Sequence, residues 1–376
     1  MNYVIRIGVV GCGGIAQVMH LPYLTATEGG GVPGIEVVAV CDVIKELGEA
    51  IGKRYHIKEV YTDHRDMLKK SAIDAVAVLT RHETHAEISI DAMNGGKHVF
   101  VEKPLCETIE DAERMIEAQR RNNVIMQVGY MKRFDTGYLI ALDEFKKMRD
   151  IAHIRAHKYF PTLATGNALQ RTEILRQGLG PMGLGFPVPE EMAKHLQAKR
   201  DRMILEQFGD KTTPEEKTAY FGLLSTSGHV LNALLGIFGD PKSVLRTEIH
   251  GAGDFVTSLL DYGDSVCIYE FGRTHHRWWD EGIMAYSPTK YVEVSFSNSH
   301  LKNRPAIVRV IDGSDRIFDT KITGTYDEPF RNEWDSFVEC VETGEKPLVS
   351  AEDGKRVLEI CVAMIENYRN KRPIPV

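Results

Sequence analysis

The sequence has no closely spaced pair of cysteines. Its six thiols stand at positions 12, 41, 106, 267, 340 and 361, so neither a cysteine-ligated zinc site nor a paired redox motif is encoded, and the cysteines are expected to be reduced. It also lacks an excess of positive charge. With 46 Lys and Arg against 53 Asp and Glu, the formal net charge is −7, which gives no electrostatic footprint for nucleic acid or an anionic membrane surface. No uninterrupted apolar run approaches the roughly 18 residues that would mark a membrane-spanning helix. The opening stretch Met1–Gly8 runs at once into a strand-like pattern with no room for a charged and then apolar leader. A cytoplasmic location is therefore expected. Repeats and low-complexity linkers are missing too. What remains is an ordinary globular composition, 43% hydrophobic and 26% charged over 376 residues, long enough for two domains. Its partners are expected to be small molecules or other subunits.

Up to about residue 130 short apolar runs alternate with helical segments, the pattern of parallel βαβ units. Strands are expected at Val4–Val10, Ile35–Cys41, Ala75–Leu79, His98–Val101 and Val124–Val128, with helices at Ile15–Thr27, Ile44–Tyr55, Thr84–Asn94 and Ile109–Asn122. Right-handed crossovers then force a doubly wound, Rossmann-type parallel sheet over residues 1–130. From Ile151 the strands lengthen and alternate polar with apolar residues, as in a half-exposed antiparallel sheet. Residues 131–376 are thus expected to form an α+β domain with a large, mostly antiparallel, open-faced sheet. Its strands are placed at Ala152–Phe160, Ser243–His250, Thr257–Asp261, Ser265–Phe271, Tyr291–Phe296, Ala306–Ile311 and Arg316–Thr320. Helices are placed at Thr218–Phe238, Phe330–Glu342 and Ala351–Asn370. The stretch 163–213, Gly- and Pro-rich at Gly178–Pro189 with helical flanks at Thr172–Gln177 and Glu190–Phe208, is an irregular insertion too long for an ordinary connection. It reads as a lid, an oligomer contact or a plain surface elaboration.

After the first strand comes Gly11-Cys12-Gly13-Gly14-Ile15-Ala16, a G-x-G-x-x-A fingerprint. Gly11 allows the tight turn, Gly13 lets the backbone approach a pyrophosphate, and Ala16 keeps helix and strand close. Gly14 and Ile15 open a helix whose unpaired N–H groups and partial positive charge suit phosphates. The second strand ends in Asp42, whose carboxylate can accept hydrogen bonds from the adenosine ribose and would repel a 2′-phosphate. NAD is therefore expected rather than NADP. The same residue could instead cap the following helix.

Three further segments carry a family resemblance: Thr80-Arg81-His82-Glu83-Thr84-His85, Gly96-Lys97-His98-Val99-Phe100-Val101-Glu102-Lys103-Pro104, and Gln127-Val128-Gly129-Tyr130-Met131-Lys132-Arg133-Phe134-Asp135. Together they resemble the Gfo/Idh/MocA oxidoreductases, the last segment being similar to the inositol dehydrogenase branch. The resemblance is strong to about residue 140. It implies that Lys103, past the carboxyl end of a parallel strand, hydrogen-bonds the hydroxyl being oxidised and stabilises its developing negative charge. It implies a cis bond before Pro104, and it puts Thr80, His85, Glu102 and Lys103 beside the cofactor. It further implies a helix carrying Asp-x-x-x-His-x-x-Asp. The matching residues are Ser225, His229 and Asn232, so His229 is the expected base while both carboxylates are replaced. Without the orienting charge, proton acceptance is expected to shift toward Lys103 or another group.

Met131, Lys132, His157 and Tyr159, with Lys103, His229 and Asn232, are the expected substrate contacts. The loop His275-His276-Arg277-Trp278-Trp279-Asp280 reads as sugar-facing or interfacial. Its histidines lack partner ligands, and no metal is expected. The resulting expectation is an NAD-dependent oxidoreductase acting on a secondary alcohol of a sugar, sugar derivative or inositol, and a homodimer or homotetramer joined through the C-terminal sheet. The alternatives are a non-catalytic dinucleotide-binding regulator and an NAD-dependent glycoside-cleaving enzyme.

Overall fold

A computed structural model describes residues 4–25, 31–161, 190–276, 278–313 and 315–370. Its contacts divide the chain into two compact units. The first comprises Met1–Gly129, Ala168–Gly209 and Phe330–Lys355; the second comprises Tyr130–Asn167, Asp210–Pro329 and Arg356–Val376.

The first unit is built on β1 (Ile5–Val10), β2 (Ile35–Cys41), β3 (Glu59–Tyr61), β4 (Ala75–Val78), β5 (His98–Glu102) and β6 (Met126–Gly129). They form one parallel sheet in the order β3-β2-β1-β4-β5-β6, the expected doubly wound arrangement with its reversal of strand order at β1 and β4. The strands read as continuous apolar runs because both sheet faces are covered; all four residues of β4 are buried. The connecting helices are α1 (Leu21–Leu24), α2 (Lys45–Tyr55), α3 (His64–Lys70), α4 (His82–Asn94) and α5 (Ile109–Asn122). Caps fix two of their starts: Asp63 accepts from Arg65 N for α3, and Thr108 accepts from Asp111 N for α5.

Two elements escape the sequence pattern. β3 has three half-buried residues, and α3 has seven, too few to display a period. The single helix expected at Ile15–Thr27 instead passes through a π turn, Ala16–His20, before α1. Two later segments complete this unit: α7 (Glu190–Phe208) and α9 (Pro329–Thr343). From α9, Trp334 and Phe337 enter the core alongside Ile5, Ile7, Val9 and Phe100.

The second unit holds an eight-stranded sheet in the order β14-β13-β12-β11-β7-β10-β9-β8. The strands are β7 (His153–Pro161), β8 (Ser243–His250), β9 (Phe255–Asp261), β10 (Val266–Thr274), β11 (Asp280–Tyr286), β12 (Lys290–Ser295), β13 (Ile307–Asp312) and β14 (Phe318–Thr323). Every neighbouring pair is antiparallel except β7 with β10, which is parallel. The sequence reading missed β11 because its five inner residues are all buried, which hides the alternation. It also missed α6 (Thr136–Lys146), whose first turn Asp135 caps through Gly137 N and Tyr138 N.

The long helix α8 (Pro214–Phe238) begins at a capping box between Thr213 and Glu216 and contains a π turn at Leu223–Ser227. It is long and apolar enough to cross a membrane, but most of it is buried, as a core helix is. Helices α6 and α8 pack on one face of the sheet. The last helix is α10 (Ala351–Asn370). Within the insertion, 163–189 lies outside the described residues, and with it the expected helix Thr172–Gln177 and the Gly- and Pro-rich stretch Gly178–Pro189. The end of the helix expected at Ile15–Thr27 and Arg277 of the His-His-Arg-Trp-Trp loop lie outside them as well.

Candidate active site

In the first unit, the ends of β1, β4 and β5 supply the expected residues. Gly11 has φ +96°, and a Cβ there would fall 2.6 Å from the Leu79 carbonyl oxygen, so the turn that follows β1 and lies against the end of β4 requires glycine. At Gly13 a Cβ would meet nothing within 4 Å, leaving its backbone open to a pyrophosphate. Gly14 and Ile15 begin the helical turn, and Gln17 N closes it on Gly13 O at 3.1 Å. The geometry fits a dinucleotide's phosphates at a helix start. Asp42 serves this turn directly. One carboxylate oxygen accepts Cys12 N at 2.8 Å and the other accepts Ile44 N at 2.9 Å. Burial raises its pKa, and these two amides pull it back. Asp42 does not cap α2, whose N-cap is Ile44 without a side-chain bond; it pins the fingerprint to the end of β2.

At the end of β5 the Lys103–Pro104 bond is cis, as the resemblance implied. Glu102 is buried. One of its oxygens lies 2.9 Å from His20 Nε2, and the other accepts Lys103 N at 2.9 Å. Burial pushes this carboxyl up, but His20 and Lys103 outweigh it and hold the pKa below the usual carboxylate range. Both oxygens have inner partners, which tie Glu102 to the Lys103 turn.

His85 is fully buried. Its Nδ1 lies 2.8 Å from Pro104 O and its Nε2 3.2 Å from Thr80 O. Burial lowers its pKa while the two carbonyls raise it, and the ring is a strut between the turns after β4 and β5. Thr80 Oγ1 meets Thr84 Oγ1 at 2.8 Å. Outside this strut lies an ionic cluster that sequence reading did not find. Arg200 of α7 reaches Glu83 at 3.1 Å and Glu107 at 3.2 Å, and Arg81 reaches Glu83 at 2.8 Å. Both carboxyls are 1% exposed. Burial carries the Glu107 pKa up to about 7, while Arg81 and Arg200 overcome the same burial at Glu83 and lower it.

In the second unit, α8 presents His229 and Asn232, both buried. The His229 ring stands edge-on to Tyr130 with centroids 5.9 Å apart. Neither amide atom of Asn232 has a hydrogen-bond partner among the described residues, although the side chain is 0% exposed. A buried unpaired amide costs about 1–3 kcal/mol, which marks a position prepared for a ligand. Ser225 does not stand in for an orienting carboxylate. Its hydroxyl donates to Phe221 O from inside the π turn.

Of the other contacts expected in this unit, Met131 and Lys132 sit in a turn that packs on α8, whereas His157 and Tyr159 lie apart from it. Residues of β7 alternate across the sheet. Ala156 and Lys158 share the helix-covered face with Tyr269, whose hydroxyl bonds Ser227 of α8 at 2.6 Å. His157 and Tyr159 point to the opposite face, where His157 Nε2 meets Asp280 at 2.9 Å and the Tyr159 hydroxyl donates to Glu270 at 3.1 Å. Burial and the Glu270 charge push that hydroxyl up to about 12. The sheet itself separates His157 and Tyr159 from His229 and Asn232.

Lys132 is committed elsewhere. Its ammonium pairs with the fully buried Glu281 at 3.0 Å, lies 4.3 Å from the Phe296 ring centroid, and shares Glu281 with Lys158 at 3.3 Å. Met131 is buried in the short 3₁₀ turn before α6. In the loop expected to face a sugar, Trp279 donates to Glu281 at 3.0 Å beneath Lys158, whereas Trp278 is two-thirds exposed. No cluster of three or more His, Cys, Asp or Glu side chains suited to a metal occurs among the described residues.

A parallel sheet with its glycine turn, phosphate-ready helix start and acid at the second strand end defines the first unit as a dinucleotide-binding domain. Residues 5–130 match the Gfo/Idh/MocA model, described as the oxidoreductase family's NAD-binding Rossmann fold. Inositol 2-dehydrogenase of Salmonella typhimurium is 38% identical over 137 residues, a match covering 36% of this chain and 39% of that protein. The scyllo-inositol 2-dehydrogenase (NAD(+)) of Bacillus subtilis is 25% identical over 100% of this chain and 97% of its own length. Among solved structures, the aldose-aldose oxidoreductase of Caulobacter crescentus has a TM-score of 0.73 at 17% identity, covering 99% of this chain and 100% of that one. The scyllo-inositol dehydrogenase of Lactobacillus casei has a TM-score of 0.70 at 20% identity, covering 98% and 97%. These two show a shared fold.

Proposed function

We propose that the protein is an NAD-dependent oxidoreductase that moves a hydride between the nicotinamide and a secondary alcohol carbon of an inositol, sugar or sugar derivative. The observation that carries this reading is one sheet that presents both the open fingerprint turn at Gly11–Ile15 and Lys103 at the carboxyl ends of its strands. The bound dinucleotide supplies the hydride chemistry. Gly11, Gly13, Gly14 and Ile15 shape and hold its phosphate site, Asp42 favours NAD over NADP by charge, and Thr80 and His85 shape the turn next to Lys103. Lys103 hydrogen-bonds the reacting hydroxyl and takes its proton as the carbon–hydrogen bond is broken. Within the second unit, His229 and Asn232 are the candidates for meeting a polyol, supported by the unpaired buried amide of Asn232. Similarity to the two inositol dehydrogenases supports the polyol class. The open sheet face, which carries Tyr159 and Tyr286, supports pairing between subunits, and the soluble-protein composition supports a cytoplasmic location.

The test is Lys103→Met, assayed with NAD and a panel of inositols, free sugars and glycosides. Turnover should disappear while NADH binding, read by fluorescence, stays within about twofold. Unchanged turnover refutes the role of Lys103. NADH binding without turnover of any substrate by the unmodified protein would make it a sensor instead. Glycoside cleavage without net NADH would make it a hydrolase that uses NAD transiently.

A further inference from the structure

We infer that His20 and Trp334 are positioning residues for Lys103, acting through the Glu102 carboxylate. The inference rests on the proposed role of Lys103. The three side chains form one hydrogen-bonded line inside the first unit. Trp334 Nε1 lies 3.0 Å from His20 Nδ1, His20 Nε2 lies 2.9 Å from Glu102 Oε1, and Glu102 Oε2 accepts the backbone N–H of Lys103 at 2.9 Å. An indole nitrogen can only donate. His20 Nδ1 must therefore be the acceptor, which places the imidazole proton on Nε2, where it is donated to Glu102. The tautomer follows from the identity of the partner.

The line cannot relax by rotation. His20 is 0% exposed, and Phe100, Phe330 and Trp334 stand edge-on around it with centroids 5.7, 5.5 and 6.0 Å away. Trp334 is in turn stacked on Phe100 at 4.0 Å. An apolar residue would fill such an aromatic cage at lower cost than a histidine and a buried carboxylate. The polar line has a specific terminus, the amide of Lys103. A carboxylate held at one end by an immobile imidazole fixes the peptide plane at the other, and with it the point from which the Lys103 side chain departs. Supporting groups of this kind behind a reacting residue commonly change activity by about 10- to 100-fold.

The experiment uses the full-length protein in four forms besides the unmodified one: His20→Gln, whose amide can still donate where Nε2 did, His20→Leu, Trp334→Phe and Lys103→Met. With scyllo-inositol and NAD, His20→Leu should lose about 10- to 100-fold in kcat and Trp334→Phe about 3- to 10-fold. NADH affinity and KM should stay within about twofold. His20→Gln should recover most of kcat even where its Tm falls as far as that of His20→Leu.

A second readout needs no turnover. In protein labelled with 15N-lysine, the Lys103 amide proton, identified by its disappearance in Lys103→Met, should lie downfield because it is bonded to a carboxylate. It should move upfield in His20→Leu and stay in place in His20→Gln. An unmoved Lys103 amide in both His20→Leu and Trp334→Phe overturns the inference. So do kcat losses that simply follow the Tm losses across the series. If Lys103→Met is inactive and His20→Leu is fully active, this inference alone fails. If Lys103→Met is active, the reading of Lys103 fails first and takes the inference with it.

Discussion

Replacing Arg200 with Met should cost much more stability at pH 8 than at pH 5.5. Arg200 stands 3.1 Å from Glu83 and 3.2 Å from Glu107, and both carboxyls are 1% exposed. At pH 8 both are ionised, and removing the shared cation leaves a buried charge without compensation. Breaking a buried pair costs about 3–5 kcal/mol. Arg200 is 26% exposed and Arg81 still serves Glu83, so the lower end, about 3 kcal/mol, applies. Glu107 differs in that burial has already carried its pKa from 4.5 to about 7. Its protonated form is favoured in the folded state, so its contribution to stability is fully present below about pH 4.5 and is lost as pH rises through about 7. At pH 5.5 the proton is in place, and the substitution removes little more than hydrogen bonds, about 1 kcal/mol. For a unit of this size, about 2–4 °C accompanies each kcal/mol, giving a Tm loss of about 6–12 °C at pH 8 and about 2–4 °C at pH 5.5. Differential scanning calorimetry measures it, and the relevant transition is the one that NADH shifts upward. In a Glu107→Gln background the pH dependence should vanish. Equal losses at the two pH values refute the reasoning.

Gly11→Ala should abolish NADH binding or folding of the first unit, because it combines φ +96° with a Cβ placed 2.6 Å from Leu79 O; calorimetry and NADH titration distinguish the two, and wild-type behaviour in both counts against the turn. Asp42→Ala should weaken NAD more than NADP and also lower Tm through the lost Cys12 and Ile44 amide contacts; equal losses for both cofactors argue against a ribose contact. Asn232→Leu should raise stability by about 1 kcal/mol, since an unpaired buried amide is removed, while lowering kcat/KM at least tenfold; unchanged kinetics would show that the amide meets no substrate.

The parts of the site legible in the sequence are those whose geometry is local. The glycine turn, Asp42 and the Glu102-Lys103-Pro104 turn each follow from a strand end and its next few residues. Contacts that depend on parity across a sheet were only half legible. The alternation of β7 puts His157 and Tyr159 together, but which face α8 covers is decided by packing of the whole second unit. Lys132 looked available because its partner Glu281 lies on β11, a strand with no alternation to betray it. His20, Trp334 and Arg200 carried no motif at all. His20 and Trp334 are 314 residues apart, and Arg200 sits in a helix whose charged surface resembles any solvated one.

The return of α9 to the first sheet governs when that unit can fold. Trp334 and Phe337 complete its core, and Val128 N at the end of β6 bonds Val349 O at 3.0 Å. On the ribosome, the six strands are synthesised within the first 129 residues. They must then wait with Phe100 and His20 uncovered while some two hundred further residues emerge. Domains generally fold as units during synthesis, but here the cofactor unit is a delayed one. A nascent chain stalled before residue 330 should remain open to protease at β5 and β6, and a chaperone that shields aromatic surface has its longest opportunity in that interval.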